Sequence, residues 1–108
     1  MTLLQKRDAA RRRRRLAAYV ETRRRLRAAL LELVPGVRVI LFGSLTRPGV
    51  FNDRSDVDLA VVDAPAALDT LRLTGELMDR LGRPVDLVLW EKCRFREKIR
   101  REGEEWTT

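Results

Sequence analysis

Three aspartates in apolar, strand-like surroundings are the residues of this chain best placed to do chemistry. Asp56 and Asp58 flank Val57 at the start of one apolar run, and Asp86 lies inside a later one. Residues two apart on a strand share a face, so Asp56 and Asp58 are expected to project together. Carboxylates that close repel unless a cation neutralises them, and an all-oxygen set suits Mg²⁺. If the two strands are neighbours, Asp86 completes a three-carboxylate site.

A glycine-serine pair follows the first apolar run of the chain and can serve the phosphates of a nucleotide. Glycine allows a phosphate to approach the backbone, and exposed amides at Gly43 and Ser44, with the Ser44 hydroxyl, are predicted to bind a triphosphate. Arg47 and Arg54 lie in the same polar loop and are predicted to neutralise phosphate charge. A phosphate loop facing a two-metal carboxylate site is the arrangement needed for in-line phosphoryl or nucleotidyl displacement.

Each of these residues also has a simpler interpretation when it is taken singly. Ser44 can cap a short helix, Arg47 and Arg54 can be solvated loop residues, and a lone Asp-x-Asp pair is weak evidence. Only the combination of the loop, the Asp-x-Asp pair and the third acid favours nucleotide chemistry.

The elements that must position these residues alternate between helices and strands. Helical spacing of apolar residues runs from Leu16 to Val34 and stops at Pro35-Gly36. Strands are predicted over residues 37–42, 57–62 and 85–90, with a helix from Asp63 to Gly82 and a short amphipathic helix over 91–102. The second helix is predicted to bury Leu68, Leu71, Met78 and Leu81, and Gly103 to cap the third. The pattern predicts an α/β fold, a small mixed sheet covered by helices.

Composition removes several classes of function. The chain has one cysteine, Cys93, and no histidine, which excludes a disulfide framework within one chain, a Cys/His zinc site and a histidine general base. No apolar run is long enough to span a membrane, and the first residues lack the apolar core of a secretory signal. A reducing cytoplasm is the expected compartment. A chain of 108 residues fits one small domain, which association with a partner would help to stabilise.

Positive charge is concentrated at the N-terminal end. The net charge is +7, yet residues 1–38 hold twelve basic and three acidic residues while 39–108 hold eleven and thirteen. Arg11 to Arg15 are five consecutive arginines, whose mutual repulsion disfavours a helix. Residues 1–15 are therefore predicted to be a basic arm or helix extension before a domain at 16–108. A solvated arm, RNA contact and docking on an acidic partner all stay open, although no aromatic residue interleaves the run to stack on bases.

At two segments the chain resembles a known superfamily. Leu41-Phe42-Gly43-Ser44-Leu45-Thr46-Arg47 and Ser55-Asp56-Val57-Asp58-Leu59 look like the signature of the DNA polymerase β-like nucleotidyltransferases. The length is similar to that of the minimal members, the MNT proteins. Asp86 matches the third metal-binding acid of that family, and the resemblance covers about residues 20–106. Eleven residues separate Ser44 from Asp56 where the family commonly has ten, and Pro48 is the extra residue.

The resemblance implies a function in more detail than the residues alone. It implies transfer of AMP from Mg-ATP with two Mg²⁺ ions, Asp56 and Asp58 holding both metals and Asp86 binding the catalytic one and assisting deprotonation of the acceptor hydroxyl. It also implies a HEPN-domain partner, whose tyrosine is the acceptor, and a role as antitoxin of a type VII-like toxin–antitoxin pair that oligomerises through this partner. Two alternatives stay open: a catalytically weak nucleotide-binding module that neutralises a HEPN partner by binding, and a small-molecule nucleotidyltransferase subunit.

Overall fold

The computed structural model describes residues 1–108 as three α-helices around one four-stranded sheet. In chain order the elements are α1 (Leu3–Leu33), β1 (Arg38–Phe42), β2 (Val57–Val62), α2 (Thr70–Leu81), β3 (Val85–Leu89), α3 (Arg96–Glu102) and β4 (Glu104–Thr107). Short 3₁₀ turns follow β1 at Gly43–Thr46 and β3 at Trp90–Lys92. The predicted α/β class is confirmed, as are the three predicted strands to within one residue at each end.

The sheet is mixed, with strand order β3-β2-β1-β4. β1 pairs antiparallel with β2 and β4, whereas β2 and β3 run parallel because α2 carries the chain back between them. One face of the sheet packs against α1 and α2 in the main core, and the other packs in a smaller cluster with Ile99 of α3 and Trp90. Apolar side chains on both faces explain why β1 and β2 read as continuous apolar runs.

Strand β4 lies outside the sequence prediction, which ended at the third helix. Its one buried residue is Trp106, so no apolar alternation marks it as a strand. Gly103 caps α3 as predicted, its amide donating to the Ile99 carbonyl at 2.7 Å, and its backbone is extended (φ −85°, ψ 166°). A Cβ at Gly103 would overlap the Ile99 carbonyl oxygen and crowd Ile40 Cγ2. Glycine is therefore required there for close packing between α3 and β1.

Helix α1 runs without interruption through the arginine run, although the mutual repulsion of these charges disfavours a helix, so residues 1–15 extend the helix of the domain. A capping box between Thr2 and Gln5 closes its N-terminus. The inward face begins later than predicted: Leu16 and Val20 are 51% and 56% exposed, and full burial starts at Thr22. The first half of the helix therefore extends beyond the core, and the molecule measures 56 × 28 × 19 Å. No helix of the chain combines the length and apolarity needed to cross a bilayer.

Helix α2 starts seven residues after the predicted position. Asp69, not Asp63, is the N-cap, its side chain accepting from the Arg72 amide at 3.1 Å, and Gly82 ends the helix in the left-handed conformation (φ 66°) as predicted. The buried face consists of Leu73, Leu77 and Leu81. Of the predicted face, Leu81 is buried and Leu68 packs at the edge of the core, whereas Leu71 and Met78 are exposed.

Candidate active site

The parallel pairing of β2 with β3 brings two of the three predicted acids together. Asp58 and Asp86 are direct cross-strand partners in the register of this ladder. Val57 is fully buried, so its neighbours Asp56 and Asp58 point away from the main core. The expected adjacency of the second and third strands, on which the three-acid hypothesis depended, is therefore met.

The electrostatics of Asp58 reflect this crowding. Burial raises the pKa of the Asp58 carboxyl, and the negative charges of Asp86 and Asp56 raise it further. None of the three carboxylates takes part in a salt bridge or accepts a hydrogen bond from another side chain. A cation placed among them would relieve a repulsion that the protein leaves uncompensated.

The glycine of the predicted phosphate loop is in direct contact with this cluster. Gly43 has a left-handed backbone (φ 71°), and a Cβ at this position would overlap Asp58 Oδ2. The 3₁₀ turn that follows is anchored by the fully buried Leu45, and the Thr46 hydroxyl donates to the Gly43 carbonyl at 2.8 Å. The turn therefore presents its backbone at the edge of the carboxylate pair, where only glycine fits.

A cavity of about 470 Å³ opens beside the cluster. Gly43, Ser44, Arg47 and Asp86 form its polar side. The rest of its lining is mostly apolar and consists of Phe42, Val50, Val88, Cys93, Phe95 and Ile99, together with the charged Lys98 and Glu102. Asp56 and Asp58 lie next to this cavity and do not line it. The cavity thus joins the Gly-Ser turn to an apolar surface on which a planar or apolar group can pack.

The longer loop after Arg47 is closed by a tight turn. The amides of Val50 and Phe51 both donate to the Arg47 carbonyl at 3.0 Å, so the extra residue at Pro48 is absorbed before the chain returns to the core at Phe51. Arg47 stays on the wall of the cavity.

The donor set fits a divalent metal, although the side chains are not gathered around one point. No group of three acidic, histidine or cysteine side chains approaches closely enough to hold an ion without rearrangement. Asp58 and Asp86 stand side by side as hard oxygen donors with uncompensated charge, which is the chemistry that Mg²⁺ prefers. Residues Asp56, Asp58 and Asp86 would hold such ions after side-chain rotation.

Arg54 is not brought into this cavity. It lies in a separate cleft with Arg11, Arg14 and Arg15 of α1, and its amide donates to Asn52 Oδ1 at 2.8 Å. The loop that carries it turns away from Gly43 after Phe51. Arg54 is therefore placed where it faces the N-terminal arginines, not the Gly-Ser turn.

Two residues that the sequence motifs did not reveal hold the loop that leads to Asp56 and Asp58. Arg83 donates through Nη1 to the carbonyls of Asn52 and Ser55 at 3.0 and 2.9 Å, and its guanidinium lies 4.5 Å from the ring centroid of the fully buried Phe51. Burial lowers the pKa of Arg83, against the effect of the nearby Asp53 and Asp56 carboxylates. Phe51 is the one aromatic residue in a polar loop, and this pattern could have predicted that its side chain is buried. No feature of the neighbouring sequence predicts the role of Arg83.

The fold and the site together define a class of protein. It is an α/β domain whose mixed sheet places paired carboxylates against a glycine turn, as nucleotide-transfer chemistry requires. The family model described as the nucleotidyltransferase domain matches residues 23–105. The chain belongs to the nucleotidyltransferase domain family.

Solved structures of similar fold come from toxin–antitoxin complexes. The chain is similar to one solved with AMP-PNP (27% identity, TM-score 0.62, 79% of this chain and 73% of that chain). A mutant of the MntA toxin–antitoxin complex is also similar (26%, TM-score 0.60, 80% and 72%). The fold is shared with a complex of tri-AMPylated Shewanella oneidensis HEPN toxin and MNT antitoxin (24%, TM-score 0.59, 83% and 73%). The resemblance to MNT proteins is thereby confirmed, while no curated protein matches the chain.

Proposed function

We propose that this nucleotidyltransferase moves AMP from Mg-ATP onto a tyrosine hydroxyl of a HEPN-domain partner and acts as the antitoxin of that pair. The observation that carries the proposal is the pairing of Asp58 with Asp86 across β2 and β3, directly against the Gly43 turn. It sets the acidic residues beside a backbone that a triphosphate can approach.

The residues of the site divide the work of an in-line displacement. The Gly43 and Ser44 amides with the Ser44 hydroxyl bind the phosphates, and Arg47 on the cavity wall neutralises their charge. Asp56, Asp58 and Asp86 would hold two Mg²⁺ ions, which when bound would supply Lewis-acid stabilisation of the phosphate oxygens. Asp86, exposed in the cavity, accepts the proton as the acceptor oxygen bonds to the α-phosphorus and the bond to pyrophosphate breaks.

The relatives support the choice of nucleotide and acceptor. One of the similar complexes was solved with AMP-PNP and another contains a tri-AMPylated HEPN toxin. The apolar part of the cavity, with Val88 and Phe95, gives an adenine ring or an acceptor side chain a surface to pack on.

A second candidate is a module that neutralises a HEPN partner by binding nucleotide and protein without efficient transfer. The observation that favours it is that the three carboxylates are not gathered into a ready metal site. In this case Mg-ATP would bind, but no AMP would be transferred to the partner.

Transfer of label from [α-³²P]ATP to a HEPN-domain protein distinguishes the two. We expect labelling by the wild-type chain with Mg²⁺, and a loss of at least about a hundredfold in Asp58→Asn and Asp86→Asn because each removes a metal ligand. Asp79→Asn, an exposed acid of α2, is the matched control and should label normally. Tight Mg-dependent ATP binding without any labelling would support the binding module instead.

A further inference from the structure

A second concave site lies between helix α1 and the loop before β2. This cleft, about 570 Å³ in volume, is formed by Arg11, Arg14 and Arg15 of α1 and by Asn52, Asp53 and Arg54 of the loop before β2. Four guanidinium groups face one carboxylate there, and none of the four arginines forms a salt bridge within the chain. We call it the arginine cleft.

The helix explains why only part of the arginine run contributes. Positions 11, 14 and 15 are spaced i, i+3 and i+4 and so share one helix face. Arg12 and Arg13 point elsewhere and do not line the cleft. The five consecutive charges therefore separate into a set that converges on the loop and a set that faces solvent.

Both walls of the cleft are held in place before any ligand arrives. One wall is a continuous helix. The other is the loop whose carbonyls at Asn52 and Ser55 accept hydrogen bonds from Arg83, above the buried Phe51. Preorganised walls lower the ordering cost of binding.

The lining identifies the chemistry of the ligand. It contains no apolar residue, whereas the centres of protein–protein interfaces are enriched in apolar and aromatic residues and depleted in charged ones. Interfaces with nucleic acid are polar and strongly basic, and arginine forks match phosphate oxygens bidentately. No aromatic residue is present to stack on bases, so the contacts go to the backbone and carry no sequence preference.

We propose that the arginine cleft binds the phosphodiester backbone of a single nucleic-acid strand, independently of sequence. The four guanidinium groups line one cleft of about 570 Å³, which suits the closely spaced phosphates of one strand. The site does not depend on nucleotidyl transfer, because it shares no residue with the Gly43–Asp86 cavity.

The test measures fluorescence anisotropy of a short labelled oligouridylate RNA with the full chain in EDTA and without ATP, so that its failure says nothing about catalysis. With about four phosphates neutralised, the logarithm of affinity should fall with the logarithm of salt concentration with a slope of about −3. In R11Q/R14Q/R54Q, three exposed cleft positions, we expect binding about tenfold weaker and a slope shallower by about 2.

The matched control is R7Q/R12Q/R13Q, which removes the same charge from exposed positions of α1 outside the cleft and should bind within about twofold of wild type. Equal losses in the two triple variants would overturn the proposal in favour of general charge attraction. Oligoglutamate competing as well as unlabelled RNA would also overturn it, in favour of an acidic protein partner.

Circular dichroism checks that the helix survives in both triple variants. Should the cleft variant unfold, R54Q alone decides, because Arg54 lies in a loop. We then expect R54Q to bind the RNA with about threefold lower affinity than wild type. R94Q, which replaces an exposed arginine outside the cleft, should bind like wild type. Equal affinity of R54Q and wild type would contradict the cleft.

Discussion

The contact between Gly43 and Asp58 shows how one backbone conformation fixes the position of a functional carboxylate. Gly43 adopts φ 71°, and Asp58 Oδ2 occupies the space that a Cβ would need. The turn and the carboxylate are therefore interdependent: a side chain at position 43 has to displace the aspartate.

We expect Gly43→Ala to destabilise the protein and to abolish Mg-ATP binding. The left-handed backbone alone costs about 1–2 kcal/mol for alanine, and the overlap with Asp58 adds to this. Urea denaturation measures the first effect and calorimetry the second. Gly49→Ala is the control, because a Cβ there meets nothing within 4 Å. A Gly43→Ala protein as stable as the Gly49→Ala protein would contradict this account of the turn.

We expect Asp58→Asn to raise the melting temperature in EDTA, because it removes one of the crowded negative charges that burial and two neighbouring carboxylates penalise. Mg²⁺ should raise the melting temperature of wild type but have little effect on the variant. Thermal melts in EDTA and in Mg²⁺ measure both effects, with Asp79→Asn as control. A variant that melts lower than wild type in EDTA would show that Asp58 makes a stabilising contact in the metal-free protein.

At the scale of elements, one cluster fastens α1 to the end of the sheet and to the 3₁₀ turn at Gly43–Thr46. Arg23 pairs with Glu104 of β4 and donates through Nη1 to the Leu45 carbonyl at 3.0 Å. Trp106 Nε1 donates to the same Glu104 carboxylate at 2.5 Å, and the Arg27 guanidinium lies 4.1 Å from the Trp106 ring centroid. The long helix thus supports the turn that precedes the acids.

This cluster makes stability depend on pH. Burial acts to raise the pKa of Glu104, but hydrogen bonds from Trp106 and Arg23 outweigh it and lower the pKa below its ordinary value of 4.5. A lowered carboxyl pKa contributes stability that is present above the unfolded pKa and is lost as pH falls through the folded one.

We therefore expect Glu104→Gln to lower the free energy of unfolding by about 1 kcal/mol at pH 7, a modest value because the pair is partly exposed. The difference from wild type should shrink as pH falls below 4.5. Urea denaturation across a pH series tests this. Glu105 lies on the same strand as Glu104 and forms an exposed ion pair with Arg38 of β1. Glu105→Gln should therefore lower the free energy of unfolding at neutral pH by less than Glu104→Gln does. If the difference in free energy of unfolding between Glu104→Gln and wild type stayed constant in acid, the loss of stability would come from packing and not from the charge of Glu104.

At the scale of the whole molecule, the projecting half of α1 carries the arginine run away from the hydrophobic core. The buried residues of α1 begin at Thr22, and the arginine run lies along the part that extends beyond the sheet. The basic segment and the acidic cluster therefore lie on separate surfaces.

Deletion of residues 1–15 should consequently leave the cluster of Asp56, Asp58 and Asp86 and the core intact. We expect the melting temperature to fall by no more than a few degrees, since only the cap and exposed helix are removed, and Mg-ATP affinity to stay within about twofold. Differential scanning fluorimetry and calorimetry make the comparison. A collapse of the fold would show that the exposed half of α1 supports the loop before β2 through the arginine cleft.

The sequence by itself determined three of the four strands, the helix-covered sheet and the common face of Asp56 and Asp58. Apolar runs bounded by glycine, proline and polar residues are local signals, and the alternation of side chains along β2 placed Asp56 and Asp58 opposite the buried Val57. The Gly-Ser turn could be found in the same way, because it follows a strand directly.

Only the tertiary structure decided which strands are neighbours, and hence that Asp58 faces Asp86 across a ladder between residues 28 positions apart. It also decided that Arg54 joins Arg11, Arg14 and Arg15 and not the Gly-Ser turn. The reason is physical: pairing and convergence across long separations are set by the packing of the whole chain, which leaves no signature in the local sequence. For the same reason β4, stabilised by pairing with β1 and one buried tryptophan, could not be read from its own residues.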